Sequence, residues 1–123
     1  MTHVYGHNSG DELLLWDVHR LWELARALPV ERVPLQEFQR FLEERRVRFW
    51  PTDREAPTIL DIVTYVQRIN AVDLDHPIIL SAEGEVMDGQ HRLAKAWMQG
   101  AGSILAVRFP VTPEPDERRP LNL

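Results

Sequence analysis

The sequence predicts an α/β (α+β) domain in which a small mixed sheet packs against helices. Three observations predict it. Apolar residues recur at three- and four-residue spacing from Leu14 to Leu28 and from Ile59 to Ile69, the period of helices with one buried face. Two short apolar runs, Pro77-Ile78-Ile79-Leu80 and Ile104 to Phe109, have the length of buried strands. Between them stand a turn at Ala82-Glu83-Gly84, a short strand and a helix ending at Gly100.

The 123 residues fit one domain, long enough to bury a useful core. Hydrophobic content of 44% and charged content of 27% are ordinary for a globular chain. A net charge of −5 argues against a broad nucleic-acid or anionic-membrane footprint. Without cysteine there is neither a disulfide framework nor thiol chemistry, which suits a cytoplasmic location. No apolar run has the length of a membrane span, and no signal-peptide pattern is present.

Residues 1–10 are expected to be a flexible N-terminus, residues 11–110 the domain, and residues 111–123 an extended, proline-rich tail that docks on the domain or on a neighbouring chain. Ser9-Gly10-Asp11-Glu12 matches a capping box, so a helix is expected from there to Pro29. Leu14, Leu15, Val18, Leu21, Trp22, Ala25 and Leu28 form its apolar face. Trp16 lies off that face, and the two tryptophans are read as core fillers, with a partner surface as the other reading. Val30 to Leu35 reads as a short strand, and Gln36 to Arg45 as a helix with Phe38, Phe41 and Leu42 on one side. Arg45, Arg46 and Arg48 form a basic cluster, either solvated or phosphate-binding.

A brief strand is expected over Val47 to Trp50 and a polar loop over Pro51 to Pro57, with Trp50 at a core edge or a pocket rim. Thr58 and Asp61 then have the spacing of a capping box. Ile59, Ile62, Val63, Val66 and Ile69 supply the apolar face of a helix that Asn70 can end. His3, His7, His19, His76 and His91 show no zinc-ligand spacing, so no zinc site is expected. In the last helix, Leu93, Ala94, Ala96 and Trp97 are expected on the buried side and Lys95 in solvent.

The chemistry is concentrated in Asp88-Gly89-Gln90-His91-Arg92. The first N–H groups of a helix have no intrahelical partner, and the helix dipole places partial positive charge there. Gly89 lets the backbone approach a ligand closely. Arg92 offers a planar fork of donors for phosphate or carboxylate. His91 can donate a hydrogen bond or move a proton near neutral pH. Asp88 has two readings, an N-cap for Gln90 or His91, or a free carboxylate for Mg²⁺ or a substrate hydroxyl. An Asp-Gly turn with a solvated arginine needs no function at all, and this plain reading stands beside the others.

Asp88-Gly89-Gln90-His91-Arg92-Leu93-Ala94-Lys95-Ala96 resembles the D-G-x-H-R-x-x-A-A signature of the ParB/sulfiredoxin-like superfamily, also called the ParB-like nuclease domain family. The apolar runs on either side fall where that family has strands, and Val33-Pro34-Leu35 is similar to its opening strand. The resemblance is densest from Val72 to Phe109 and extends back to Val30, and the whole chain resembles small single-domain bacterial members. It implies a ParB/sulfiredoxin-like fold with a nucleotide or other small phosphorylated ligand.

Three branches of the superfamily divide on these residues. The sulfiredoxin branch needs a cysteine, and this chain has none. The chromosome-partitioning branch binds CTP and carries a helix-turn-helix region after this domain. The chain here ends at Leu123, so DNA binding by it alone is not expected. The small-molecule kinase branch has a D-G-H-H-R turn, matched except at Gln90. Carried over from that branch, Gly89, Gln90, His91 and Arg92 would contact phosphate, and Asp88 and His91 would be catalytic. Its catalytic glutamate would fall nearest Glu37. Mg²⁺ with ATP, ADP or CTP would then be the cofactor. A non-catalytic, nucleotide-responsive module or scaffold is the alternative, and a second copy of the chain is admitted as a partner.

Overall fold

The computed structural model describes residues 3–47 and 56–121, so Arg48 and Trp50, most of the expected strand after Val47 and most of the following loop lie outside the described residues. The chain is mixed α+β. It has seven strands and four α-helices among the described residues. It divides into two compact units.

The first unit holds β1 (Val4–Ser9), β2 (Glu12–Asp17), α1 (Val18–Ala25), β4 (Ile78–Leu80), β5 (Val86–Asp88), the second half of β6 (Ser103–Arg108) and β7 (Glu117–Pro120). β1 and β2 form an antiparallel hairpin, and β7 pairs antiparallel with the other side of β2. β4 pairs antiparallel with β5 and parallel with β6, in the register Ile78↔Ala106 and Ile79↔Val107. Trp16, Leu21, Ala25, Ile79, Met87, Val107 and Phe109 form the core, with Tyr5, Leu14 and Leu28 packed against it.

The helix expected from Ser9 begins nine residues later, at Val18. Ser9-Gly10-Asp11-Glu12 is the loop of the β1–β2 hairpin instead. Gly10, at φ 60°, takes the first loop position, where type II′ turns place glycine. The helix that remains is capped by Asp17, whose side chain accepts from the His19 N–H at 3.2 Å. Residues Val4 to Ser9, expected to be loose, are thus a strand. Trp16 is buried as a core filler, whereas Trp22, also expected to fill the core, is exposed.

The tail is not merely extended. The Trp16 indole N–H donates to the Pro113 carbonyl at 2.7 Å, and Asp116 N–H donates to the Leu15 carbonyl at 2.8 Å. Asp116 also accepts from Arg20 Nη1 at 2.8 Å and from the Asp17 N–H at 2.8 Å. β7 completes the seal along β2. The turn between β4 and β5 is similarly staked. The Glu83 carboxyl sits below its ordinary pKa, chiefly because its own backbone N–H bonds the charged form, with help from the Thr112 and Ser81 hydroxyls.

The second unit holds most of β3 (Glu31–Pro34), a 3₁₀ turn (Leu35–Phe38), α2 (Gln39–Glu44), α3 (Ile59–Ala71), α4 (Gln90–Met98) and the first half of β6. β3 lies beside β6, and Leu35 N–H donates to the Gly102 carbonyl at 3.0 Å. Leu35, Phe38, Ile69, Leu93, Ala96 and Ile104 are its buried apolar residues. The helix expected over Gln36 to Arg45 starts as the 3₁₀ turn and becomes α2 only at Gln39.

α3 starts as its sequence predicts. Thr58 accepts from the Asp61 N–H at 3.1 Å, and Asp61 accepts from the Thr58 N–H at 2.8 Å. Its apolar face is a correction. Ile59, Leu60, Ile62 and Val63 are exposed, and Ile69 alone is fully buried. The inward side carries Tyr65 instead, an amphipathic residue whose hydroxyl meets Gln90.

On α4, Leu93 and Ala96 are buried as expected, and two other residues depart from the expectation. Trp97, expected inside, is exposed, and Lys95, expected in solvent, is half-buried. Lys95 Nζ donates to the carbonyls of Asn70 at 3.0 Å and Val72 at 2.7 Å. A cation there meets orphan carbonyls and the negative end of the α3 dipole. Lys95→Met keeps the apolar stem and removes these bonds. It is expected to cost about 1–3 kcal/mol, read in urea unfolding, with faster amide exchange in the last turn of α3. An unchanged midpoint and exchange pattern would count against the cap. Gly100 ends α4 as expected, at φ 69°, with Gly100 N–H donating to Trp97 and Ala101 N–H to Ala96, the Schellman pattern.

Candidate functional site

Each residue of the Asp88–Arg92 segment has a local physical explanation. Asp88 closes β5 and is half-buried. Its Oδ2 accepts the indole N–H of Trp22 at 2.7 Å. Trp22, on α1, is packed edge-on by His19 at 4.7 Å and by His3 at 6.1 Å between ring centroids. The sequence reading of Asp88 did not include Trp22, because the two are far apart in the chain.

Gly89 is buried at φ 127°. A Cβ built there would lie 2.3 Å from Ile78 Cγ2 and 2.7 Å from Ile78 Cβ. The glycine is therefore required by contact with β4, independently of any ligand.

α4 opens at Gln90, whose Nε2 donates to the Tyr65 hydroxyl at 2.9 Å. His91 is half-buried, its ring 5.2 Å from that of Tyr65 and steeply inclined to it, at 77°. Arg92 is half-buried, and its Nη1 donates to the His76 carbonyl at 3.3 Å. Tyr65 thus holds the first two side chains of α4. Its spacing from Ile62 and Ile69 places it on a helical stripe, which was the available signal.

Glu37 lies exposed on the 3₁₀ turn, whose buried members are Leu35 and Phe38. Arg45 and Arg46 are exposed beyond α2. Among the described residues, no group of three or more His, Asp or Glu is placed to hold a metal ion. No known family matches the chain, and no curated protein or solved structure matches it.

Chemically, the first turn of α4 combines donors of three kinds. They are backbone N–H groups, an imidazole and a guanidinium. Such a set suits a phosphate or carboxylate. It supplies no seat for a divalent cation. No helix among the described residues is long and apolar enough to cross a membrane.

Proposed function

We propose that this chain is a phosphate- or nucleotide-binding domain of ParB/sulfiredoxin-like type, working as a ligand-responsive binding module. The observation that carries the reading is the first turn of α4, where Tyr65 holds Gln90 and His91 beside Arg92. The backbone N–H groups of that turn, with His91 and Arg92, would take the phosphate. A bound nucleotide would be read out through α3, which carries Tyr65 and exposes Ile59, Leu60, Ile62 and Val63.

Two observations favour the module over phosphoryl transfer. Asp88, the candidate acid, is engaged by the Trp22 indole, and Glu37 stands on the exposed side of its turn. Among the described residues no group of three or more His, Asp or Glu is placed to hold Mg²⁺, so contacts to the phosphate would come from the N–H, imidazole and guanidinium groups.

Thermal unfolding against ATP, ADP, CTP, GTP and inorganic phosphate, each with and without Mg²⁺, tests the reading. A ligand at about one hundred times its dissociation constant stabilises by roughly 2.7 kcal/mol. The expected result is a rise in Tm with one nucleotide that is absent in Arg92→Ala. Because Arg92 also bonds the His76 carbonyl, the comparison uses the ligand-induced increment of each variant, not its starting Tm. A wild-type chain that responds to none of the ligands would remove the phosphate reading.

A further inference from the structure

We propose that β1 is a dimerisation edge, pairing antiparallel with β1 of a second copy about a two-fold axis. A strand edge presents unpaired N–H and C=O groups, and proteins blunt such edges with charge, proline, bulges or shortness. The other edge strands are blunted. β7 has four residues with Arg118, Arg119 and Pro120; β3 has four with Glu31, Arg32 and Pro34; β5 has three. β1 differs on every count. Its six residues, Val-Tyr-Gly-His-Asn-Ser, include no proline, lysine, arginine or carboxylate. Its pairing with β2 runs one-to-one from Val4↔Asp17 to Ser9↔Glu12, without a bulge.

The ladder defines which groups face outward. With two loop residues, Ser9 and Glu12 exchange both hydrogen bonds, and so, alternately, do His7 with Leu14 and Tyr5 with Trp16. The N–H and C=O groups of Val4, Gly6 and Asn8 therefore point away from β2. Among the described residues, no strand pairs with that side of β1.

This outward row is self-complementary. Centred on Gly6, a two-fold puts Gly6 opposite Gly6 of the other copy, Val4 opposite Asn8, and Tyr5 opposite His7. Within the paired β1 strands themselves no like charges of Asp, Glu, Lys or Arg meet. At the axis the two strands approach without side chains. Tyr5 and His7 are already steadied on one face, since the Tyr5 hydroxyl and His7 Nδ1 each lie 3.3 Å from Glu85 Oε2. The product is a closed isologous pair in which two three-stranded sheets become one continuous sheet. This inference does not depend on the phosphate reading.

Sedimentation equilibrium and crosslinking test it on the full chain. The wild type is expected to sediment at twice 14.3 kDa at high micromolar concentration. Asn8→Pro removes an outward N–H and leaves every β1–β2 bond in place, so it is expected to sediment as a monomer with an unchanged circular dichroism spectrum. The chain has no native cysteine, so Gly6→Cys gives a single thiol. Directly opposed, hydrogen-bonded residues lie about 5.5 Å apart at Cα, within disulfide range. Gly6→Cys is expected to form a disulfide-linked dimer under mild oxidation, and Asp11→Cys, at the hairpin tip, is not. A wild type that stays monomeric, a native-like Asn8→Pro that remains dimeric, or equal crosslinking by the two cysteines would each overturn the proposal.

Discussion

Gly89→Ala is expected to lower stability by roughly 3–5 kcal/mol, combining backbone strain with overpacking against β4. Two separate costs arise at this position. Its φ of 127° lies where L side chains are rarely found. The new methyl would also arrive 2.3 Å from Ile78 Cγ2 and 3.3 Å from Ile78 Cα. Ile78 is fully buried, so neither partner has room to withdraw. Gly100 separates the two terms, because it has φ 69° but nothing within 4 Å of a built Cβ. Gly100→Ala is expected to cost about 1 kcal/mol, the conformational share alone. Urea midpoints of the two variants decide the matter; equal losses would mean that the contact with Ile78 carries no weight.

Loss of binding in Gly89→Ala would accordingly report on the fold as well as on the ligand. Glycine in a phosphate turn is usually credited with close approach to the ligand. Here its place against Ile78 accounts for it already. Binding is best probed at Arg92, where the fold can be monitored separately.

Trp16→Ala carries the second large effect. The indole is buried in the core of the first unit and its N–H donates to Pro113. Truncating a buried tryptophan costs about 3–5 kcal/mol. The prediction has a positional signature as well. Residues 113–120 lose one of their anchors, so limited proteolysis should cut there before it cuts the β1–β2 hairpin. Trp16→Phe retains most of the apolar bulk and loses the hydrogen bond, at an expected cost of roughly 0.5–1.5 kcal/mol. If Trp16→Phe releases the tail as fully as Trp16→Ala, the hydrogen bond is the dominant anchor. If Trp16→Ala leaves proteolysis of the tail unchanged, the anchor lies in Asp116 and β7 instead.

Features decided by neighbours in sequence were readable in advance. The Thr58–Asp61 box, the Gly100 terminus and the strands near Ile78 and Ile104 depend on residues a few positions apart. Features decided at a distance were not. Ser9-Gly10-Asp11-Glu12 satisfies both a helix cap and a two-residue hairpin. The pairing of β2 with β7, contributed from the far end of the chain, favours the hairpin. Local apolar spacing then places the wrong residues inward. The half-burial of Lys95 follows from the carbonyls of Asn70 and Val72, which no helical wheel of α4 contains.

The Asp88–Arg92 segment shows the same division. Its position at the end of a strand and the start of a helix was legible, because an apolar pair, a glycine and a helix-forming run follow in order. Its surroundings were not. Trp22 bonds Asp88 within the first unit and Tyr65 bonds Gln90 within the second, and side-chain hydrogen bonds of that range leave no periodic trace in the sequence.

The position of β7 also bears on how the chain is made. β2 cannot complete its ladder until Glu117 to Pro120 have been synthesised, about a hundred residues after Leu15. At roughly 5–20 residues per second, that leaves one side of β2 open for about 5–20 s on the ribosome. Over that interval Leu13, Leu14 and Leu15 form an apolar strand awaiting its cover. The slowest-arriving strand is thus also the one that removes a nascent aggregation template, and its arginines and proline leave a guarded border once it has docked.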